Sequence, residues 1–140
     1  MKIKVKKATF ANKDDLRLLI NSLEETEIEI NKIFFSNNHN ICLIAYINQI
    51  AVGYLYAYIL TDIKDRPKKM FLYSIDVVKN YQRMGVATKL ISFLKEEAFV
   101  SNCSEIFVLT NNSNEAAMKM YKATGGIREN EDDVMFVYQI

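Results

Sequence analysis

Apolar residues alternate with lysines at the start of the chain. Ile3 and Val5 sit between Lys2, Lys4 and Lys6, a period of two that predicts a half-solvated strand over 3–7. The period then changes. In ANKDDLRLLINSL, Leu16, Leu19, Ile20 and Leu23 recur at helical spacing, and Asn12 with Asp15 three residues on gives a carboxylate form of the capping box. EETEIEINKIFF reads as a second helix carrying Ile28, Ile30 and Ile33. Two β-rich runs, 41–47 and 51–60, are separated by Asn-Gln turn chemistry and predict a hairpin.

Pro67, the only proline, marks a loop within TDIKDRPKK. A strand over 70–78 follows, then a helix over 85–100 with Val86, Leu90, Phe93, Leu94 and Ala98 on one stripe. A short strand over 105–110 precedes a helix over 114–124 that stops at Gly125–Gly126, a normal C-cap signal. DDVMFVYQI closes the chain as a last strand. The order β-α-α-β-β-β-α-β-α-β defines a mixed α/β (α+β) fold, a mostly antiparallel sheet flanked by helices. Only the strand–helix–strand unit over 70–110 requires a parallel pair.

The 140 residues fit one domain, 1–140, with 50% apolar and 25% charged residues. With 18 basic and 17 acidic residues the net charge is +1, which gives no reason to expect nucleic acid as a partner. The longest apolar run, 51–60, is too short to span a bilayer, and the N-terminus lacks the apolar core of a signal peptide. No membrane partner and a cytoplasmic location are therefore expected. Cys42 lies in a hairpin strand, Cys103 in a loop, and His39 in a polar loop. This set cannot supply about four zinc ligands, so no metal is expected and the thiols read as apolar residues in a reducing compartment. Ser, His and acid show no grouping that supports a hydrolase triad. A homodimer stays open.

The stretch NYQRMGVATKL carries the candidate chemistry. Gly85 either serves a strand-to-helix turn that needs positive φ or leaves a helix N-terminus open to an anion. No Ser, Thr, Asp or Asn immediately precedes Gly85 to cap the helix, and Ala87 is small. Thr88 offers a hydroxyl, while Lys79, Arg83 and Lys89 offer charge. The P-loop and dinucleotide fingerprints are absent.

Gln82-Arg83-Met84-Gly85-Val86-Ala87 resembles the pattern Gln/Arg-x-x-Gly-x-Gly/Ala of the Gcn5-related N-acetyltransferases. NEAAMKMYKATGG is similar to a second signature of that family, with Asn114, Ala117, Tyr121 and Gly125 in register. Within the family, residues 51–140 are similar to the aminoglycoside 3-N-acetyltransferase branch. The resemblance implies acetyl-coenzyme A as cosubstrate and a small-molecule amine as acceptor. It implies that Gln82, Arg83, Met84, Gly85, Val86, Ala87 and Thr88 cradle the pyrophosphate. It implies further that Ile75, Val77, Asn114 and Ala117 complete the cofactor site, with a backbone N–H near Val77 holding the oxyanion. Acetylation of a protein or amino-acid amine, and a coenzyme A-binding module without chemistry, remain as alternatives.

The residues also make sense for acetyl transfer by themselves. Asn114, Ala117, Met118 and Tyr121 share one helix face, which suits either a core stripe or a site. A phenol with an ordinary pKa of about 10 is a suitable acid for a departing thiolate. Asp76, the only acid between Pro67 and Glu96, is the candidate base, on a face with Ser74 and Leu72 if the pleat is regular. In the resembling branch the strand acid falls at Ser74 and apolar residues fall at Asp76. Either the base has moved, or a bulge re-aims Asp76, or Asp76 is structural or solvated. Two acidic runs, Glu24–Glu25–Glu27–Glu29 and Glu129–Glu131–Asp132–Asp133, suit either solvated surface or the walls of a pocket for a polycationic amine.

Overall fold

The hairpin expected around Asn48 and Gln49 lies at the centre of the structure, a computed structural model that describes residues 2–140. β2 (Asn40–Ile47) and β3 (Ile50–Leu60) meet at a two-residue turn whose residues both take positive φ, 50° and 67°. Such turns match the right-handed twist of the strands they join. β1 (Ile3–Lys7) pairs antiparallel with β2, β4 (Lys68–Val77) pairs antiparallel with β3, and β5 (Cys103–Phe107) pairs parallel with β4. The sheet order is β1-β2-β3-β4-β5. The helix of the parallel crossover is α3 (Val86–Val100), as expected for such a connection.

Cross-strand partners share a face. Cys42 and Ile44 lie opposite Tyr56 and Tyr54. On that face α1 (Lys13–Glu24) packs Leu16 and Leu19 into a cluster with Ala8, Cys42, Ile44 and Tyr54. Leu43 and Ala45, opposite Leu55 and Gly53, point the other way. α3 lies against all five strands and reaches that second face through Val86, which approaches Gly53. Helices on both sides explain why 41–47 and 51–60 are nearly continuous apolar runs rather than alternating ones.

The chain divides into two compact units, the first ending at Leu109 and the second spanning Thr110–Ile140. The second contains α4 (Glu115–Ala123) and a C-terminal segment. No helix in the described residues is long and apolar enough to cross a membrane.

Four local expectations differ from what forms. The capping box lies one turn early: Thr9 accepts the Ala11 N–H at 3.3 Å, and Asn12 accepts the Thr9 N–H at 3.0 Å. Asn12 is thereby diverted from α1, while Asp15 accepts the Tyr46 hydroxyl at 2.7 Å. The second helix contracts to α2 (Lys32–Phe35). Glu25, at φ 53°, ends α1, and the Asn21 side chain holds the Ile28 N–H at 2.8 Å, so 26–31 is irregular backbone. β5 starts at Cys103, which places that thiol on the sheet rather than in a loop.

The last strand does not form. Val134, Met135, Phe136, Val137 and Tyr138 are each between 67% and 88% exposed. An apolar run signals extended chain but does not supply the ladder partner that makes it a strand.

Candidate active site

The first unit carries the expected site residues Ile75, Asp76 and Val77 on β4. Its pairing with β5 ends at Phe71–Phe107, so residues 72–77 continue past the last pair with an outer edge. The Val78 N–H donates to the Val52 carbonyl at 2.8 Å, which sets the phase of the β3–β4 ladder. Alternate N–H groups point alternately across an antiparallel pair, so those of Ile75 and Val77 face the outer edge. The Val77 N–H, expected to hold the oxyanion, donates here to Asp76 Oδ1 at 2.9 Å. Ile75 is the other edge donor.

After β4 the chain makes a 3-10 turn over Lys79–Tyr81, and Gln82 Nε2 donates back to the Val77 carbonyl at 3.0 Å. Gln82 thus ties the loop to the strand. Arg83 takes φ 63° and Gly85 φ 88°, two left-handed residues around the exposed Met84. The first α3 bond runs from the Lys89 N–H to the Gly85 carbonyl at 3.0 Å. The N–H groups of Val86, Ala87 and Thr88 therefore precede the helical ladder, as first-turn donors must. No side chain caps them and no acid occupies the first turn. With the helix dipole, this end carries the equivalent of about half a positive charge.

The two readings of Gly85 are reconciled by geometry. A Cβ built there would meet nothing within 4 Å, so φ and not crowding requires glycine. The resulting helix start lacks a side-chain cap. Val86 is buried and anchors that start. Gly53, which the sequence reading missed, allows the anchoring: a Cβ there would lie 3.1 Å from Val86 Cγ1 and 3.2 Å from the Asp76 carbonyl. A lone glycine in an apolar strand is the usual sign of close approach.

The β3–β4 register decides the face of Asp76. Tyr56 lies opposite Ser74, yet Ala57 lies opposite Leu72, so Tyr73 is the extra residue of a bulge. Leu72 therefore leaves the face shared by Ser74 and Asp76, contrary to the regular pleat. The bulge lies before Asp76, which stays opposite Tyr54. Tyr54 is hydrogen-bonded to Ser74, and burial is the chief cause that raises its pKa.

In the second unit, Asn114 caps α4 by accepting the Ala117 N–H at 3.1 Å, which occupies that side-chain oxygen. Tyr121 is half-buried, and burial pushes its pKa upward, keeping the phenol protonated. Its carbonyl accepts the Gly126 N–H at 2.8 Å and the Thr124 hydroxyl at 3.1 Å. A Cβ on Gly126 would fall 2.8 Å from that carbonyl, so the glycine fixes the turn that holds Tyr121.

The cysteines are free. Burial pushes the Cys42 thiol up to about 12, which makes it a poor nucleophile at neutral pH. Cys103 is also raised, again chiefly by burial. Two surface clefts, of about 270 and 510 Å³, share no residue with the β4 edge; the smaller includes Glu29 of the first acidic run.

The structure is thus an α/β domain in which β4 runs past its last parallel pair into a crossover helix without a side-chain cap. The sequence pattern of the acetyltransferase (GNAT) family matches residues 11–125, and the chain belongs to that family. It is 26% identical to N-alpha-acetyltransferase 30 of Xenopus laevis, over 83% of this chain and 42% of that protein. The chain thus spans less than half the length of the curated relatives it matches. Its fold is similar to that of the aminoglycoside acetyltransferase HMB0005 from an uncultured soil metagenomic sample. The TM-score is 0.88 at 24% identity, with 100% of this chain and 99% of that one covered. It is likewise similar to AAC(6')-Iy in complex with a bisubstrate analogue, CoA-S-monomethyl-acetylneamine. There the TM-score is 0.84 at 21% identity, covering 100% and 99%.

Proposed function

We propose that the chain is an acetyl-coenzyme A-dependent N-acetyltransferase, one domain over 1–140, acting on a primary amine of a small cationic molecule such as an aminoglycoside. One observation carries this reading. The uncapped amino end of α3, with no acid in its first turn, follows directly on the open edge of β4. A pyrophosphate matches the donors of Val86, Ala87 and Thr88 and the charges of Lys79, Arg83 and Lys89. An extended amide-bearing arm matches the edge donor of Ile75.

The transfer is direct. The acceptor amine gives a proton to Asp76, straight or through water, and its lone pair forms the N–C bond to the thioester carbonyl. The oxyanion is met by the edge N–H of Val77, which Asp76 gives up as it takes the proton. The C–S bond then breaks, and Tyr121 protonates the departing thiolate. The high pKa of Cys42 argues against a covalent enzyme intermediate. The exposed acids of the two runs suit a polycationic acceptor. Free thiols fit a reducing, cytoplasmic setting, and a homodimer would cover the exposed apolar segment 134–138.

A protein N-terminal amine is the second acceptor reading, favoured by the likeness to N-alpha-acetyltransferase 30. A coenzyme A-binding module without chemistry is favoured by the tie between Asp76 and the Val77 N–H.

Calorimetric titration of coenzyme A into the parent and into Gly85→Val tests the carrying observation. The parent should bind and the folded variant should not, because a branched residue at φ 88° rebuilds the loop that presents the donors. Equal affinity would mean that Gly85 serves only the turn.

A further inference from the structure

The face of β3 and β4 that packs toward α1 and α2 is tiled with aromatic rings that the proposed chemistry does not use. Tyr54, Tyr56 and Tyr58 occupy alternate positions of β3, and the bulge adds Tyr73 from β4 to the same side. Tyr73 stacks on Tyr56 with ring centres 5.3 Å apart and planes 29° from parallel. It meets Tyr58 edge-on at 5.8 Å. Phe34 of α2 closes the other side, edge-on to Tyr56 at 5.8 Å. Tyr73 is nonetheless 56% exposed, an unusual placement for a ring that a core would bury.

Carboxylates act on this face. Burial is the largest cause raising the Tyr54 and Tyr56 hydroxyls, Tyr56 to about 12, and the field of Glu24 raises both further. Asp76 adds to the effect at Tyr54. An exposed, electron-rich ring face within the field of the Glu24 carboxylate is an environment that recognises an ammonium ion.

We propose that the shelf centred on Tyr56 and Tyr73 holds a second, non-reacting ammonium of the acceptor, so that the enzyme selects molecules with two or more amino groups over monoamines. The acetylated nitrogen must be neutral when it attacks, whereas the ammonium on the shelf stays protonated throughout. The shelf thereby orients the acceptor and takes no part in bond making. This inference rests on the acetyltransferase reading and narrows its substrate class. A diamine or polyamine fits, and a singly charged N-terminal amine does not use the shelf.

The experiment titrates spermidine and n-butylamine into the protein, with NMR of labelled tyrosine rings as readout, and separately titrates coenzyme A by calorimetry. Spermidine should shift the Tyr56 and Tyr73 ring signals and bind about tenfold more tightly than n-butylamine, within the range of a cation–π contact. Tyr73→Leu should lose about that factor, while Tyr73→Phe, which keeps the ring, should stay within about twofold of the parent. Coenzyme A affinity should be the same in all three. Equal binding of spermidine by parent and Tyr73→Leu, or no ring shift while coenzyme A binds, overturns the shelf. Spermidine shifts without coenzyme A binding would instead keep the shelf and remove the acetyltransferase reading.

Discussion

The Asp76 carboxylate turns back on its own strand and accepts the Val77 N–H at 2.9 Å. One oxygen is thus fixed to the backbone at the edge of β4, and Asp76 remains exposed on the side of Ser74. This places the acid and an edge donor within one residue of each other. A base held this way has a set direction. A carboxylate that only satisfies a backbone donor would look the same.

Asp76→Asn separates the two roles, because the amide oxygen still accepts the Val77 N–H but cannot take a proton. Turnover with a primary amine should fall by about 10²–10⁴, the range for a positioned general base. The unfolding midpoint should stay near the parent's. Parental kcat in the variant would leave Asp76 as a backbone cap and pass proton removal to water.

Stability should also record the buried thiol. The Cys42 pKa rises from 9.0 to about 12 on folding, so between those values the unfolded chain has lost the proton and the folded chain keeps it. Stability then falls as pH rises, by up to about 1.4 kcal/mol per pH unit across that window from this group. Cys42→Val removes the titrating group at similar size. Denaturant unfolding at pH 8 and pH 10.5 should show a smaller alkaline loss in the variant. Equal losses would assign the effect to the tyrosines alone.

Much of the fold was legible because periodicity is a backbone property. The hairpin, the α3 stripe and the crossover all follow from apolar spacing. The cap of α1 was missed because Thr9 and Asn12 satisfy each other one turn earlier, a competition between equivalent side-chain acceptors. The left-handed turn and the uncapped start of α3 were legible from Gly85 and the missing cap residue. The face of Leu72 was not, since one extra residue at Tyr73 inverts the pleat and nothing in YS marks it. Gly53 was overlooked because its reason, contact with Val86, lies far away in sequence.

The exposed segment 134–138 bears on assembly. Five consecutive apolar residues between 67% and 88% exposed form a patch that monomers rarely display. Light scattering should give a dimer mass for the parent and a monomer mass after Phe136→Ser with Val137→Ser. The same mass in both would show that this segment does not hold copies together.

Acetyl-coenzyme A-dependent release of free thiol, measured for parent and Tyr121→Phe over a panel of aminoglycosides, polyamines and peptide N-termini, tests the central claim most directly. The variant keeps the ring and deletes only the proton. The account predicts turnover by the parent on at least one cationic small-molecule amine, and a kcat about 10²-fold lower in Tyr121→Phe with acetyl-coenzyme A affinity unchanged. No thiol release from the parent with any amine, or parental kcat in a stable Tyr121→Phe, would contradict it.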